Sequence, residues 1–240
     1  MKAKSQILIL IVETTLLCAS IQLHAGQTPC CGEELGAAAS AGQKQAKLEN
    51  LSFYKVPLVC PAAPHIGCGS ASKPLLLELE HSEVVSEAWL NRAGTVMAVV
   101  WSGQSKPRQR AKALKTILKE RDITVTELAG EQKQQVMKDF LSGTGWYRGA
   151  DVDRLSEEEA GVIAARWIGR FREKISLTEE KGKRLQDALT AQLKLQLTGK
   201  STREETKEEM LKIARQNLDE KDVQVLLENF GGGFVPKKEE

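Results

Sequence analysis

The chain has 240 residues, of which 41% are hydrophobic and 28% are charged. This composition is typical of a soluble globular protein, and the length suits one large domain or two small ones. The 34 basic and 32 acidic residues nearly balance, to a net charge of +2, and both signs are interspersed along the chain. The chain as a whole has no excess of basic residues of the kind that would indicate nucleic acid as a partner.

Residues 1–25 have the organisation of a signal peptide. Lys2 and Lys4 give a positive start, and residues 7–12 are apolar. The sequence then reaches an acceptable cleavage site that ends at Ala25. The apolar run is too short for a membrane span. We therefore expect a periplasmic or secreted protein whose mature chain has no membrane span.

Residues 26–50 are rich in Gly, Ala, Ser and Gln and have no apolar period, which is typical of a flexible tether. This segment carries the adjacent cysteines Cys30 and Cys31. Cys60 and Cys68 bring the number of cysteines after the predicted cleavage to four. In an exported protein an even number allows disulfides as well as metal binding.

Strand-like and helix-like patterns alternate between residues 51 and 130. In chain order the patterns predict a strand at 52–59, a helix start at 73–80 capped by Ser72, strands at 84–90 and 95–101, a helix opened by Pro107, and a strand at 123–128. The order β-α-β-β-α-β is that of the ferredoxin-like, or split βαβ, topology.

After Gly130 the sequence predicts helices and no strand. The predicted helices are one at 131–141, one behind a Ser156/Glu159 capping box, one opened by Thr178, one behind a Ser201/Glu204 capping box, and a short one from Asp219. The tail 231–240 is predicted to be disordered. The predicted fold class is therefore α+β, with a ferredoxin-like domain at 51–130 followed by an α-helical domain at 131–230.

Cys60 and Cys68 bracket a loop rich in Pro and Gly between the first predicted strand and the first predicted helix. Thiolates prefer soft ions such as Cu(I) and Zn(II). His65, inside the same loop, is a candidate third ligand, since imidazole suits zinc and copper. The same cysteines could instead close the loop as a disulfide or serve as reactive thiols. The sequence leaves these alternatives open.

The order of elements and the place of the cysteine loop resemble the heavy-metal-associated family, which includes small periplasmic mercuric-ion-binding proteins and copper-chaperone domains. That family carries a Met-x-Cys-x-x-Cys loop between its first strand and first helix, and both cysteines bind one soft ion. Cys68 matches the first of these cysteines, whereas Ala71 stands in the place of the second. The missing thiolate would come from Cys60 or from the pair Cys30 and Cys31.

The predicted helix starts at Leu155, Leu177 and Leu218 are similar to those of LTxxQ-type periplasmic helical proteins, which are small metal-sensing and stress-response bundles. The similarity concerns residues 150–230. Ordinary N-capping explains the same residues and is the simpler interpretation.

The expected function is the binding of a soft ion, copper(I), mercury(II) or zinc, for sequestration or for transfer by thiolate ligand exchange. A metal transporter or another periplasmic protein is the expected partner. We do not expect an enzyme, because the chain contains no G-x-S-x-G, H-E-x-x-H or P-loop motif. The alternatives are a non-metal periplasmic binding or scaffold protein with structural disulfides, and a thiol-disulfide enzyme, for which the usual Cys-x-x-Cys is absent.

Overall fold

The computed structural model describes residues 48–231 and Pro236, with side chains described through residue 227. The predicted signal peptide, the cysteines Cys30 and Cys31, and the predicted tail beyond Gly231 other than Pro236 lie outside the described residues.

The described chain is a mixed α/β structure with seven strands and seven helices. The strands are β1 (Leu51–Lys55), β2 (Val59–Cys60), β3 (Ala63–Gly67), β4 (Val85–Asn91), β5 (Val96–Trp101), β6 (Thr126–Glu127) and β7 (Trp146–Arg148). The helices are α1 (Gly69–His81), α2 (Pro107–Lys119), α3 (Gly130–Leu141), α4 (Asp153–Arg172), α5 (Glu179–Leu197), α6 (Arg203–Asn217) and α7 (Glu220–Gly231).

Five strands form one antiparallel sheet in the order β6-β1-β5-β4-β7, and β2 and β3 form a separate hairpin. The central strand β5 is a nearly continuous apolar run, as expected for a strand covered on both faces. Ala98 in this strand pairs with Phe53 in β1 and with Trp89 in β4. Within the described chain, no helix is both long enough and apolar enough to cross a membrane.

The two faces of the sheet are covered by different helices. On one face, Phe140 of α3 packs edge-on against Phe53 and Trp146, with ring centroids 5.7 Å and 5.1 Å apart. On the other face, α1 and α2 join a cluster of buried side chains that continues without a break into α4–α7. Strand β7 also joins the sheet from beyond residue 130. The division into two domains at residue 130 stays a prediction.

The first helix and the cysteine loop differ from the prediction. Helix α1 begins at Gly69 with Cys68 as its N-cap, so the predicted cap at Ser72 is wrong. Ser72 lies inside the helix, where its hydroxyl donates to the Cys68 carbonyl at 2.6 Å. The predicted loop contains the hairpin β2–β3, and β7 is a strand that the sequence did not predict. Strands β2 and β7, with two and three residues, are too short for their periodicity to be recognised.

Both predicted capping boxes are also wrong. Helix α4 begins at Asp153, so Ser156 and Glu159 lie inside it and are buried. At the start of α6 the box is formed by Thr202 and Glu205, one residue later than predicted. The Thr202 hydroxyl accepts from the Glu205 amide at 3.2 Å, and Glu205 Oε2 accepts from the Thr202 amide at 2.8 Å.

Candidate functional site

Cys60 and Cys68 are brought together by the hairpin between them. Cys60 ends β2 and is 1% exposed, while Cys68 follows β3 and is half-buried. The register pairs Val59 with Gly67, and the Cys68 amide donates to the Leu58 carbonyl at 2.7 Å. The hairpin therefore folds the chain back on itself, so that both cysteines lie at the start of α1. Both are free cysteines.

Two glycines allow this hairpin to dock on the turn between β4 and β5. Gly94 has φ +71°, and a Cβ at this position would lie 2.4 Å from the Leu58 carbonyl oxygen. A Cβ on Gly67 would lie 2.9 Å from the Gly94 Cα atom. Real Cβ atoms do not approach other atoms this closely, so only glycine fits at these two positions. The backbone of the hairpin therefore packs directly against the backbone of the β4–β5 turn, and this contact fixes the position of the cysteine hairpin.

Cys68 lies where a thiol is readily ionised. The hydrogen bond from Cys60 is the largest of the influences that lower the pKa of Cys68 to about 5. The Ser70 hydroxyl, 3.3 Å from the Cys68 sulfur, and the backbone amides of Ala71 and Ser70 act in the same direction. These amides belong to the first turn of α1, and helix N-termini stabilise thiolates in general. All of these contacts favour the thiolate form of Cys68 over the thiol.

The surroundings of Cys60 favour its protonated thiol form. Its hydrogen bond to Cys68, its burial and its hydrogen bond to Glu159 raise its pKa far above the ordinary value. Its sulfur also accepts a hydrogen bond from the Ala62 amide at 3.2 Å. Cys68 and Glu159 are therefore the two side chains placed to accept a hydrogen bond from the Cys60 thiol.

Glu159 is the residue of this site that the sequence analysis missed. It is 4% exposed, and burial raises its pKa. Its Oε2 atom and the Ser156 hydroxyl are both buried, and neither has a hydrogen-bond partner among the described residues. A signal was present in the sequence, because Ser156 and Glu159 are spaced so as to share one face of a helix with the apolar residues Ile163 and Trp167.

The N-terminal part of helix α4 packs against the two glycines that flank Cys68. A Cβ on Gly69 would lie 2.3 Å from the Ser156 hydroxyl oxygen and 2.8 Å from the Val152 carbonyl oxygen. A Cβ on Gly67 would lie 3.2 Å from Leu155 Cδ1. Cys68 is partly open to solvent and Cys60 is buried, so a reactant reaches Cys68 first.

No third side chain between residues 48 and 227 is placed to bind an ion together with the two thiols. His65 lies on β3 and is exposed. Among the described residues, no group of three or more His, Cys, Asp or Glu side chains is arranged to hold a metal ion. The described residues therefore offer an incoming ion two sulfur ligands, and a ligand role of His65 stays a prediction, as does an auxiliary role of Cys30 and Cys31.

The chain has no match among protein-family models, curated proteins or solved structures.

Proposed function

We propose that this protein binds a soft heavy-metal ion as cargo, through Cys60 and Cys68, and sequesters it or passes it on in the periplasm or outside the cell. The observation that carries the proposal is the pair of free thiols at the start of α1, where each cysteine is the largest influence on the pKa of the other. Two sulfur ligands suit soft ions, which prefer thiolates to oxygen ligands. Copper(I), mercury(II) and zinc are the candidate ions.

The different exposure of the two cysteines gives the binding an order. The Cys68 thiolate, half-buried, makes the first bond to the ion. Cys60, which is buried, makes the second bond and gives up its proton to the Glu159 carboxylate or to water. In transfer the order is reversed. A thiolate of the receiving protein joins the ion before Cys60 leaves it, and Cys68 leaves last, so no free ion is released.

The sheet supports a ferredoxin-like assignment for the first half. Taken in chain order, β1, β4, β5 and β6 are the four strands of a β-α-β-β-α-β unit with α1 and α2. They lie in the order β6-β1-β5-β4 and all pair antiparallel, which is the arrangement that this topology requires. Cys68 immediately before α1 then occupies the position that the resemblance to the heavy-metal-associated family implies.

Titration of the reduced full-length protein with Hg(II) or Cu(I), against a competing chelator, tests the proposal. We expect one ion per chain for the wild type and loss of that site in Cys68→Ser and in Cys60→Ser. Pro64→Ala is the matched control, because Pro64 is an exposed residue of the same hairpin without a ligand atom, and this variant should bind as the wild type does. Equal binding by the wild type and Cys68→Ser would contradict the proposal.

A second candidate function is thiol-disulfide exchange, which the thiolate character of Cys68 favours. In that case Cys68 would attack the disulfide of a substrate and Cys60 would resolve the mixed disulfide. Reduction of a disulfide-linked peptide by the protein, abolished in Cys68→Ser and stalled as a mixed disulfide in Cys60→Ser, would favour this function over metal binding.

A further inference from the structure

A groove of about 570 Å³ lies between α2 and the segment of chain that leads into β6. This volume is within the range of small-molecule sites, which is about 300–1,000 Å³. The residues that line the groove come from β1, α2, β6 and the turn between α2 and β6, whereas the thiol site is built from β2, α1 and α4. The aliphatic part of the lining consists of Ala111, Leu114, Leu118, Ile123 and Val125.

The turn after α2 creates this groove. Asp122 has φ +53°, in the left-handed region that aspartate adopts more readily than most residues other than glycine. The Ile123 amide donates to the Leu118 carbonyl at 3.0 Å, which closes the end of the helix. The chain then runs back to Glu127, which pairs with Tyr54 in β1. The buried side chain of Tyr54 lines the groove between the helix and the returning chain.

The helix side of the groove carries a row of four cations. Arg108, Lys112, Lys115 and Lys119 follow one another at intervals of four, three and four residues, which places them along one side of α2. All four are exposed, and Lys115 and Lys119 line the groove itself. None of the four has an ion-pair partner among the described residues. The near-balance of charge over the whole chain conceals this local excess.

Two acids stand opposite this row. Asp122 and Glu127 line the groove on the side of the returning chain. With the four cations they leave a net charge of +2 at its rim. The guanidinium group of Arg110 is not counted, because it donates to Asn50 at 2.7 Å and to the Ser105 hydroxyl at 2.9 Å. An anionic group is therefore favoured at this groove, on the side of the lysines.

We infer that this groove binds a monomeric amphiphilic anion, that is, a single molecule with an apolar chain and one carboxylate. The apolar chain leaves water by packing between α2 and the returning chain. The carboxylate binds at Lys115 and Lys119, which lie one helical turn apart on the same side of α2. A neutral apolar molecule does not use the lysines, and a small free anion does not cover the apolar lining. The inference is independent of the proposed function.

The shape of this surface favours a single molecule over a membrane. Proteins that lie on a membrane insert protruding apolar side chains below the headgroups. The large apolar side chains that are exposed in the described chain are Leu141, Val162 and Leu195, and they belong to α3, α4 and α5. The apolar lining of the groove is instead concave and lies behind the row of cations.

The test is isothermal titration calorimetry of the full-length protein with sodium dodecanoate, below the concentration at which dodecanoate forms micelles. We expect one dodecanoate per chain. Dodecyltrimethylammonium has the same apolar chain and the opposite charge, so it should bind at least about fivefold more weakly. Circular dichroism at the same concentrations checks that the protein stays folded.

A double variant tests the row of cations. Lys115→Gln/Lys119→Gln should weaken dodecanoate binding about threefold to tenfold, because two exposed ionic contacts are lost. Lys207→Gln/Lys221→Gln is the matched control, since it removes two exposed positive charges from α6 and α7. It should bind dodecanoate as the wild type does.

A second pair of variants tests the apolar part of the groove. Ala111→Trp fills the groove from an exposed helix position and should abolish dodecanoate binding. Thr116→Trp is the matched control, because Thr116 is exposed on the same helix and is not part of the lining. It should leave binding unchanged.

Four results would overturn the inference. They are a folded wild type that does not bind dodecanoate, equal affinity for dodecyltrimethylammonium, an equal loss of affinity in the two lysine double variants, and unchanged binding in Ala111→Trp. Binding to phosphatidylglycerol vesicles or to polyglutamate without binding of monomeric dodecanoate would also overturn it, in favour of a membrane surface or an acidic protein. None of these results changes the titration of the thiol site with metal ions.

Discussion

Replacing Cys60 with Ala should raise the pKa of Cys68. In the wild type this pKa is about 5, against an ordinary value of 9.0, and the hydrogen bond from Cys60 is its largest cause. At pH 7 a pKa of 5 corresponds to about 99% thiolate, and a pKa of 9 to about 1%. With Cys60 gone, the Ser70 hydroxyl and the amides of the first turn of α1 remain. We therefore expect a value between these two limits.

The rate of alkylation of Cys68 by iodoacetamide, followed by mass spectrometry as a function of pH, measures this pKa. Only the thiolate reacts, so the rate rises with pH through the pKa of the folded protein and levels off above it. The experiment is done in a chain whose Cys18, Cys30 and Cys31 are replaced by Ser, so that one partly exposed thiol remains. Ser70→Ala is the matched control. It should shift the midpoint of the curve of alkylation rate against pH less than Cys60→Ala does.

Two results would refute this account of the site. A midpoint near 9 in the wild type would show that Cys68 is not a thiolate at neutral pH. A midpoint that stays near 5 in Cys60→Ala would show that the N-terminus of α1, and not Cys60, stabilises the thiolate.

Two further predictions concern the packing around the site and the helix caps. Gly69→Ala should lower the free energy of unfolding by about 1–3 kcal/mol in urea denaturation, because the new methyl group meets the Ser156 hydroxyl and the backbone of α4. Gly161→Ala, also on a helix but facing open space, should not destabilise. Thr202→Ala should cost about 1 kcal/mol through loss of the α6 cap, and Ser201→Ala should cost less. Equal losses of stability in Gly69→Ala and Gly161→Ala, or in Thr202→Ala and Ser201→Ala, would contradict the contacts described for that pair.

The sequence by itself predicted most of the regular elements, because their signals are local. The strands predicted at 84–90 and 95–101 are β4 and β5 to within one residue, and the helix opened by Pro107 is α2. Thr178 caps α5 as predicted, its hydroxyl accepting a hydrogen bond from the Lys181 amide. Each of these signals is contained within a few neighbouring residues, so it can be recognised without knowing the fold. They are the alternating or helical periodicity, the proline in a first turn and the hydroxyl at an N-cap.

Only the tertiary structure decided the composition of the thiol site. The spacing of Ser156 and Glu159 is the same in a capping box and in the middle of a helix, and burial under the cysteine hairpin distinguishes the two. The proximity of Cys60, Cys68 and Glu159 depends on the hairpin and on α4, which lie far apart in the chain and meet only through packing. Charge and hydrogen bonding at this site are consequences of that packing, since a buried carboxyl group perturbs a thiol only where the fold brings the two together.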